Sequence, residues 1–156
     1  MIPEFKSLTS AEIELMHKAP MLVCILIAGA DGRIDQNEIR RAIGFATNRQ
    51  KKASKSRLLE FYNEVGSDFE DKLKIVIQGF PIKEKERAPK VTAELAQLNN
   101  ILGRLDKEFS VEFFKSLKEI AVEIAKSSGG VLGLKSIGEE EAKYLTLNMI
   151  KDPSSF

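Results

Sequence analysis

The chain contains no tryptophan, one cysteine and one histidine among its 156 residues. A single cysteine excludes an internal disulfide and favours a reducing compartment, so we expect a cytoplasmic protein. The longest apolar run, residues 19–30, contains a proline and is too short to span a bilayer of about 30 Å. Because the first 18 residues are polar and carry both signs of charge, we expect neither a signal peptide nor a transmembrane segment.

An excess of one sign of charge is also missing, because the formal net charge is only +1. No whole-molecule field therefore attracts nucleic acid or an anionic membrane. The sequence has no glycine-rich phosphate loop and no Ser/His/Asp pattern. His17 and Cys24 are separated by Pro20, and Cys24 lies in an apolar run where a thiol behaves as a small hydrophobe. We therefore predict a protein that is not an enzyme.

Apolar residues recur at helical spacing through most of the chain, and no segment keeps a strand period for long. This pattern predicts an all-α bundle of six to seven helices in one domain, a size that suits one core. We place the domain at residues 9–150, with a leader at residues 1–8 and a tail at residues 151–156.

The first helix is predicted to start near Ser10, because Thr9 and Glu12 have the spacing of a capping box. Pro20 is expected to kink or restart it. Residues 21–28 leave almost no polar face, which predicts the buried central helix. A second helix is expected from Gln36 to about Thr47, followed by a loop.

The later elements are predicted from the same periodicity and from glycine, proline and capping residues. They are a helix over residues 58–66, one over 68–79, a charged stretch over 83–90 broken by Pro89, a helix over 91–105, one capped by Ser110 and stopped at 127–130, and a last helix over 139–150.

The turn after the first apolar helix resembles the second half of an EF-hand loop. Asp31, Asp35 and Glu38 fall at loop positions 5, 9 and 12, around Gly32 at the turn position 6. Loop positions 1 and 3 have no side-chain oxygen, so the half-loop needs ligands from elsewhere. Carboxylate oxygens favour calcium, magnesium or manganese as the possible divalent cation.

The same turn has a second interpretation as the start of a helix. Asp35 is then the N-cap and Glu38 completes a capping box, with Ile34 available for a hydrophobic staple. The residue pattern alone leaves open whether these carboxylates are ligands or caps.

Residues 32–38 and residues 135–141 form an imperfect internal repeat. In each copy an isoleucine precedes a predicted N-cap residue, and a glutamate follows that N-cap three residues later. Two such helix–turn–helix units around a pseudo-twofold axis would bring the two turns together. Glu139 and Glu140 are additional candidate ligands of the same cation. Their other interpretation is that they are solvent-exposed residues in the first turn of the last helix.

Two motifs resemble the tellurite-resistance TerB-like domain over residues 9–150. They are Ala-Xaa-Ala-Asp-Gly-Xaa-Ile-Xaa-Xaa-Xaa-Glu at residues 28–38 and Ser-Gly-Gly-Xaa-Leu-Gly-Xaa-Xaa-Xaa-Ile-Xaa-Xaa-Xaa-Glu at residues 128–141. The resemblance implies an all-helical bundle linked to bacterial stress and tellurite resistance. It also implies a divalent metal held at these turns, here by Asp31, Asp35, Glu38 and Glu141. The chain departs from the family at Ser128 and Gly138.

Residues 40–57 contain seven basic side chains and no acid: Arg40, Arg41, Arg49, Lys51, Lys52, Lys55 and Arg57. One interpretation is a solvated face that balances the acidic turns. The other is a patch for phosphate, nucleic acid or an acidic protein surface. Phe45 is the only aromatic residue in the cluster, which counts against stacking of single-stranded bases.

The sequence therefore predicts a TerB-like stress-response module that binds a divalent cation at paired acidic turns, together with a protein partner. The alternative is a module that binds nucleic acid or a phosphorylated ligand through residues 40–57.

Overall fold

The structure, a computed structural model, describes residues 2–29, 34–53, 56–128 and 144–156. Every regular element within these residues is helical, which confirms the predicted all-α bundle. The α-helices of the described part are α1 (Ser10–Ala28), α2 (Gln36–Ala53), α3 (Ser56–Gly66), α4 (Phe69–Gln78), α5 (Glu84–Ala96), α6 (Asn99–Leu102) and α7 (Lys107–Ser128). No helix among these is long and apolar enough to cross a membrane.

Helix α1 is the centre of the bundle and contacts α2, α3, α4, α5 and α7. Every side chain from residue 19 to residue 28 is buried, as the apolar run predicted. The predicted capping box is confirmed, because the Thr9 hydroxyl accepts from the Glu12 amide at 3.2 Å and Glu12 accepts from the Thr9 amide at 2.9 Å. The hydrogen bond from the Thr9 amide holds the pKa of Glu12 below its usual value.

Pro20 does not restart the helix, because α1 runs through it without a break. A proline inside a helix costs about 3 kcal/mol, since it removes one amide donor and crowds the preceding turn. Burying one leucine- or isoleucine-sized side chain contributes about 1.5–3 kcal/mol. Leu22 and Ile25 are fully buried just after the proline, so packing outweighs this local cost.

Two helices are longer than the periodicity predicted. Helix α2 extends to Ala53 rather than ending near Thr47, because residues 48–53 contain no glycine or proline and Gln50 is buried. Helix α5 starts at Glu84 and includes Pro89 instead of being broken there.

The segment predicted as one helix over residues 91–105 is two, because α5 ends at Ala96 and α6 is a single turn. The predicted cap of the following helix is also wrong. Asp106 accepts from the Phe109 amide at 3.0 Å, so α7 begins at Lys107. Ser110 lies inside α7, where its buried hydroxyl donates to the Leu102 carbonyl at 2.8 Å.

The two ends of the chain pack against the bundle. Ile2, Phe5 and Leu8 of the predicted leader are buried in the core. Residues 144–150 form turns rather than the end of the predicted last helix, and Leu147 has a φ of 49° that a continuing helix does not allow. The first part of that predicted helix lies outside the described residues.

Substitution of a central core leucine should lower the free energy of unfolding. Leu26 is 3% exposed and Leu117 is fully buried. We expect Leu26→Ala and Leu117→Ala each to cost about 2–5 kcal/mol in urea unfolding, because each leaves a cavity. Ile82→Ala is the control, because Ile82 is 92% exposed and should change stability by less than about 0.5 kcal/mol. Core variants that cost less than the control would contradict this packing.

Candidate binding groove and acidic turn

The structure describes the acidic turn, residues 31–38, only from Ile34 onward. One oxygen of Asp35, Oδ1, accepts from the Asn37 amide at 2.8 Å and from the Glu38 amide at 3.3 Å, so Asp35 is the N-cap of α2. Ile34 packs against the core, as a staple residue does. Two predicted ligands, Asp31 and Glu141, lie outside the described residues. The second copy of the internal repeat, residues 135–141, lies outside them as well.

The remaining predicted ligands share the start of α2. Asp35 is exposed, whereas Glu38 is half-buried one turn later. Within the described ranges, no group of three His, Cys, Asp or Glu side chains is placed to hold a metal. Because Asp31 and Glu141 lie outside the described residues, the four-residue metal site stays a prediction.

Arg87 is a residue at this turn that the sequence did not reveal. The residue is 5% exposed, and its Nη2 donates to the Gly29 carbonyl at 3.0 Å while Nη1 donates to the Ile82 carbonyl. A cation beside the last carbonyls of a helix complements the negative end of its dipole. Arg87 therefore caps the C-terminus of α1.

The position of Arg87 changes the electrostatics of the predicted cation loop. Gly29 stands at loop position 3, where an EF-hand supplies a side-chain ligand that glycine lacks, and its carbonyl already accepts from a positive side chain. A metal ion at this point would meet an unfavourable like charge. The four-residue spacing of Arg87, Val91 and Leu95 was the available signal, since it places the arginine on the buried stripe of α5.

Three of the six described residues of the basic patch (the seven basic residues of 40–57) are paired with acids from other elements. Arg40 lies 3.4 Å from Glu70, Arg49 lies 2.6 Å from Glu119, and Arg57 pairs with Glu4. The other described members, Arg41, Lys51 and Lys52, are exposed, and Lys55 lies outside the described residues. These pairs favour a balanced, solvated face, because carboxylates of the chain itself already neutralise three of its cations.

A concavity of about 610 Å³ lies between α2, α7 and residues 145–146. It brings Arg49 together with Lys115, Lys118 and Lys126, but Glu119 and Glu123 line it as well. The Arg49 guanidinium carbon lies 5.9 Å from the centre of the Phe45 ring. The one aromatic ring of the basic cluster is therefore already in contact with a cation of the chain.

A groove of about 500 Å³ lies between α1 and α4 and is closed at one side by α5. We name it the α1–α4 groove; its lining residues are Ser10, Ile13, Glu14, His17, Lys18, Met21, Lys72, Ile75, Val76, Gly79, Phe80 and Glu94. Ile13, Val76 and Phe80 give it apolar walls, and Ile75 is 70% exposed. Helical periodicity did not reveal the groove, since it identifies buried faces rather than gaps between neighbouring helices.

Two polar residues of this groove are held by partners within the bundle. His17 Nε2 lies 2.9 Å from Glu64 Oε1, and the imidazole stacks on Phe61 with ring centres 5.6 Å apart. Burial acts to raise the pKa of Glu64, but hydrogen bonds, including that with His17, hold it below its usual value. Lys18 pairs with Glu94.

The lone histidine and the lone cysteine do not form a reactive pair. His17 is engaged with Glu64, and Cys24 is a free thiol that is fully buried in α1. Burial raises the pKa of Cys24 far above its usual value, which disfavours the reactive thiolate.

Comparisons with protein-family models, with curated proteins and with solved structures found no match. The resemblance to the TerB-like domain therefore stays a prediction.

The contact between Arg87 and Gly29 is testable because a methyl group at residue 29 would meet the arginine. A Cβ added there would lie 2.5 Å from Arg87 Nη2. Gly29 has a φ of −84°, which alanine also adopts, so crowding alone should destabilise Gly29→Ala. We expect a cost of about 1–3 kcal/mol in urea unfolding.

Arg87→Ala provides the matched background for that measurement. In this background Gly29→Ala should be neutral or stabilising, because the crowding partner is gone and contacting residues act non-additively. Equal costs of Gly29→Ala in both backgrounds would contradict the proposed contact.

Proposed function

We propose that this protein is a non-enzymatic binding module whose α1–α4 groove receives an α-helix of a protein partner. The observation that carries the proposal is the groove itself, with its apolar walls and the 70% exposed side chain of Ile75 beside them. A groove with apolar walls is the surface on which an amphipathic helix lays its apolar face, and Ile75 would contact that face at the rim.

The length of the groove supports a helix as the occupant. Its α1 side runs from Ser10 to Met21, which is about 16 Å or three helical turns. Helices that bind in grooves use apolar anchors at positions i, i+3, i+4 and i+7, which span about 10 Å and therefore fit within this length.

The setting that we propose is a stress response in the bacterial cytoplasm. The two TerB-like motifs support the stress response, and a single buried cysteine without a disulfide partner supports a reducing compartment. Nucleic acid is the less favoured partner, since Arg40, Arg49 and Arg57 are paired with carboxylates of the chain.

The groove is tested with a designed peptide in fluorescence anisotropy. The probe is an 18-residue amphipathic helix with leucine at i, i+3, i+4 and i+7, lysine along one flank and glutamate along the other. We expect the native protein to bind it and Ile75→Asp to weaken binding about tenfold, the loss expected from one buried anchor.

Ile82→Asp is the matched control, because Ile82 is a second strongly exposed isoleucine among the described residues and does not line the groove. It should leave the affinity unchanged. An affinity that falls equally in both variants, or no binding by the native protein, would contradict the proposal.

A divalent cation at the acidic turn is the second candidate. It is supported by the half-loop motif and by Asp35, whose second carboxylate oxygen accepts no hydrogen bond from the described residues while the first caps α2. Asp35 and Glu38 would supply ligands from α2, and Asp31 and Glu141 would complete the site with calcium, magnesium or manganese.

Asp35→Asn separates the cap from the ligand, because asparagine caps a helix about as well as aspartate but has no charge. If a cation binds, millimolar calcium, magnesium or manganese should raise the melting temperature of the metal-stripped native protein more than that of Asp35→Asn or Glu38→Gln. If the two residues only cap, neither the native protein nor the variants should respond to added cation.

A further inference from the structure

The charged residues around the α1–α4 groove are of two kinds. Lys18 pairs with Glu94, and His17 contacts Glu64, so these side chains already have partners within the bundle. Glu14 and Lys72 differ from them and lie on the two helices that flank the groove.

Glu14 is exposed on α1, and its carboxylate makes no hydrogen bond or ion pair with any residue that the structure describes. Lys72 on α4 donates to the backbone carbonyl of Glu64 at 3.0 Å, which is a neutral acceptor. Its ammonium charge therefore has no carboxylate partner among the described residues. Among the described residues, the groove thus has a negative charge without a basic partner on its α1 side and a positive charge without a carboxylate partner on its α4 side.

We infer that the groove selects an amphipathic helix with one basic flank and one acidic flank, which pair with Glu14 and Lys72 respectively. This inference rests on the proposed function and names the chemistry of its partner. A helix lying between α1 and α4 presents one flank to each, so a helix of uniform charge meets a like charge on one side. Complementary charges of this kind determine specificity more than raw affinity.

The same two charges select the direction of the bound helix. Turning a helix end for end over the same apolar stripe exchanges its flanks, which would bring the basic flank to Lys72 and the acidic flank to Glu14. The helix therefore binds in one direction, and the flank charges decide which.

The test compares three amidated 18-residue peptides that share one leucine stripe. One has a lysine flank and a glutamate flank, the second has lysine on both flanks, and the third has glutamate on both. We expect the mixed peptide to bind about three- to tenfold more tightly than either uniform peptide, as expected for one exposed charge contact changed in sign.

Charge reversal in the protein should change this order. Glu14→Lys makes both sides of the groove positive, so the all-glutamate peptide should become the tightest ligand. Lys72→Glu makes both sides negative and should favour the all-lysine peptide. Lys72→Gln is the second variant if Lys72→Glu does not fold, and it should equalise the mixed and all-lysine peptides.

The control variants are Glu60→Lys and Lys74→Glu, which reverse exposed charges that do not line the groove. Both should keep the native preference for the mixed peptide, and circular dichroism checks that every variant is folded.

Three outcomes would overturn the inference. If the three peptides bind equally and Ile75→Asp weakens them all, the groove function stands and the charge inference is wrong. If none of the peptides binds, the proposed function fails and the inference with it. If the protein is a dimer in sedimentation and Ile75→Asp makes it a monomer, a second copy of the chain covers the groove instead.

Discussion

The burial of α1 is the constraint on which the rest of the structure depends. A helix that is apolar on all sides over residues 19–28 must be covered completely, and five of the other described helices contact α1. That burial also explains how the helix tolerates Pro20, since the packing energy of its neighbours exceeds the local cost of the proline.

The two ends of α1 are completed in different ways. The N-terminus is satisfied locally by Thr9 and Glu12. The C-terminus is buried, so the Gly29 carbonyl needs a donor from elsewhere in the fold, and Arg87 of α5 supplies it. A buried charge at this point is acceptable because it hydrogen-bonds two carbonyls and faces the negative end of the helix dipole.

The first half of α1 has a different role from the second. Ser10, Glu14 and Lys18 follow each other at four-residue spacing and line the groove, whereas the opposite side of the same turns faces the core. The bundle thus covers the apolar second half of its central helix and leaves one strip of the first half beside an open groove. In the proposed function, that strip is where a partner helix contacts the module.

Local signals in the sequence predicted local structure well. The Thr9–Glu12 capping box correctly predicted the start of α1, and apolar periodicity correctly predicted the helical nature of α3 and α4. Features that depend on tertiary packing were not predicted. Helix α5 continues through Pro89, and Arg87 is buried although it lies within the charged stretch of residues 83–90. The groove was missed for the same reason, since it arises from the spacing of two helices that are distant in sequence.

The prediction of a metal site has a different outcome. The described structure confirms that Asp35 is a cap, a role that the sequence had left open beside ligation. Asp31 and Glu141 lie outside the described residues, so the cation site stays a prediction from sequence. Arg87 adds a positive charge that the sequence pattern of the turn did not include.

Chemical-shift mapping tests the central claim most directly. The ¹⁵N-labelled protein is titrated with the mixed-flank peptide while its backbone amide resonances are followed. The account predicts that the largest shifts cluster on Ile13, Glu14 and Lys18 of α1 and on Ile75 and Phe80, which line the groove. Shifts centred instead on Arg49 and Lys118, or on Asp35 and Glu38, would contradict it.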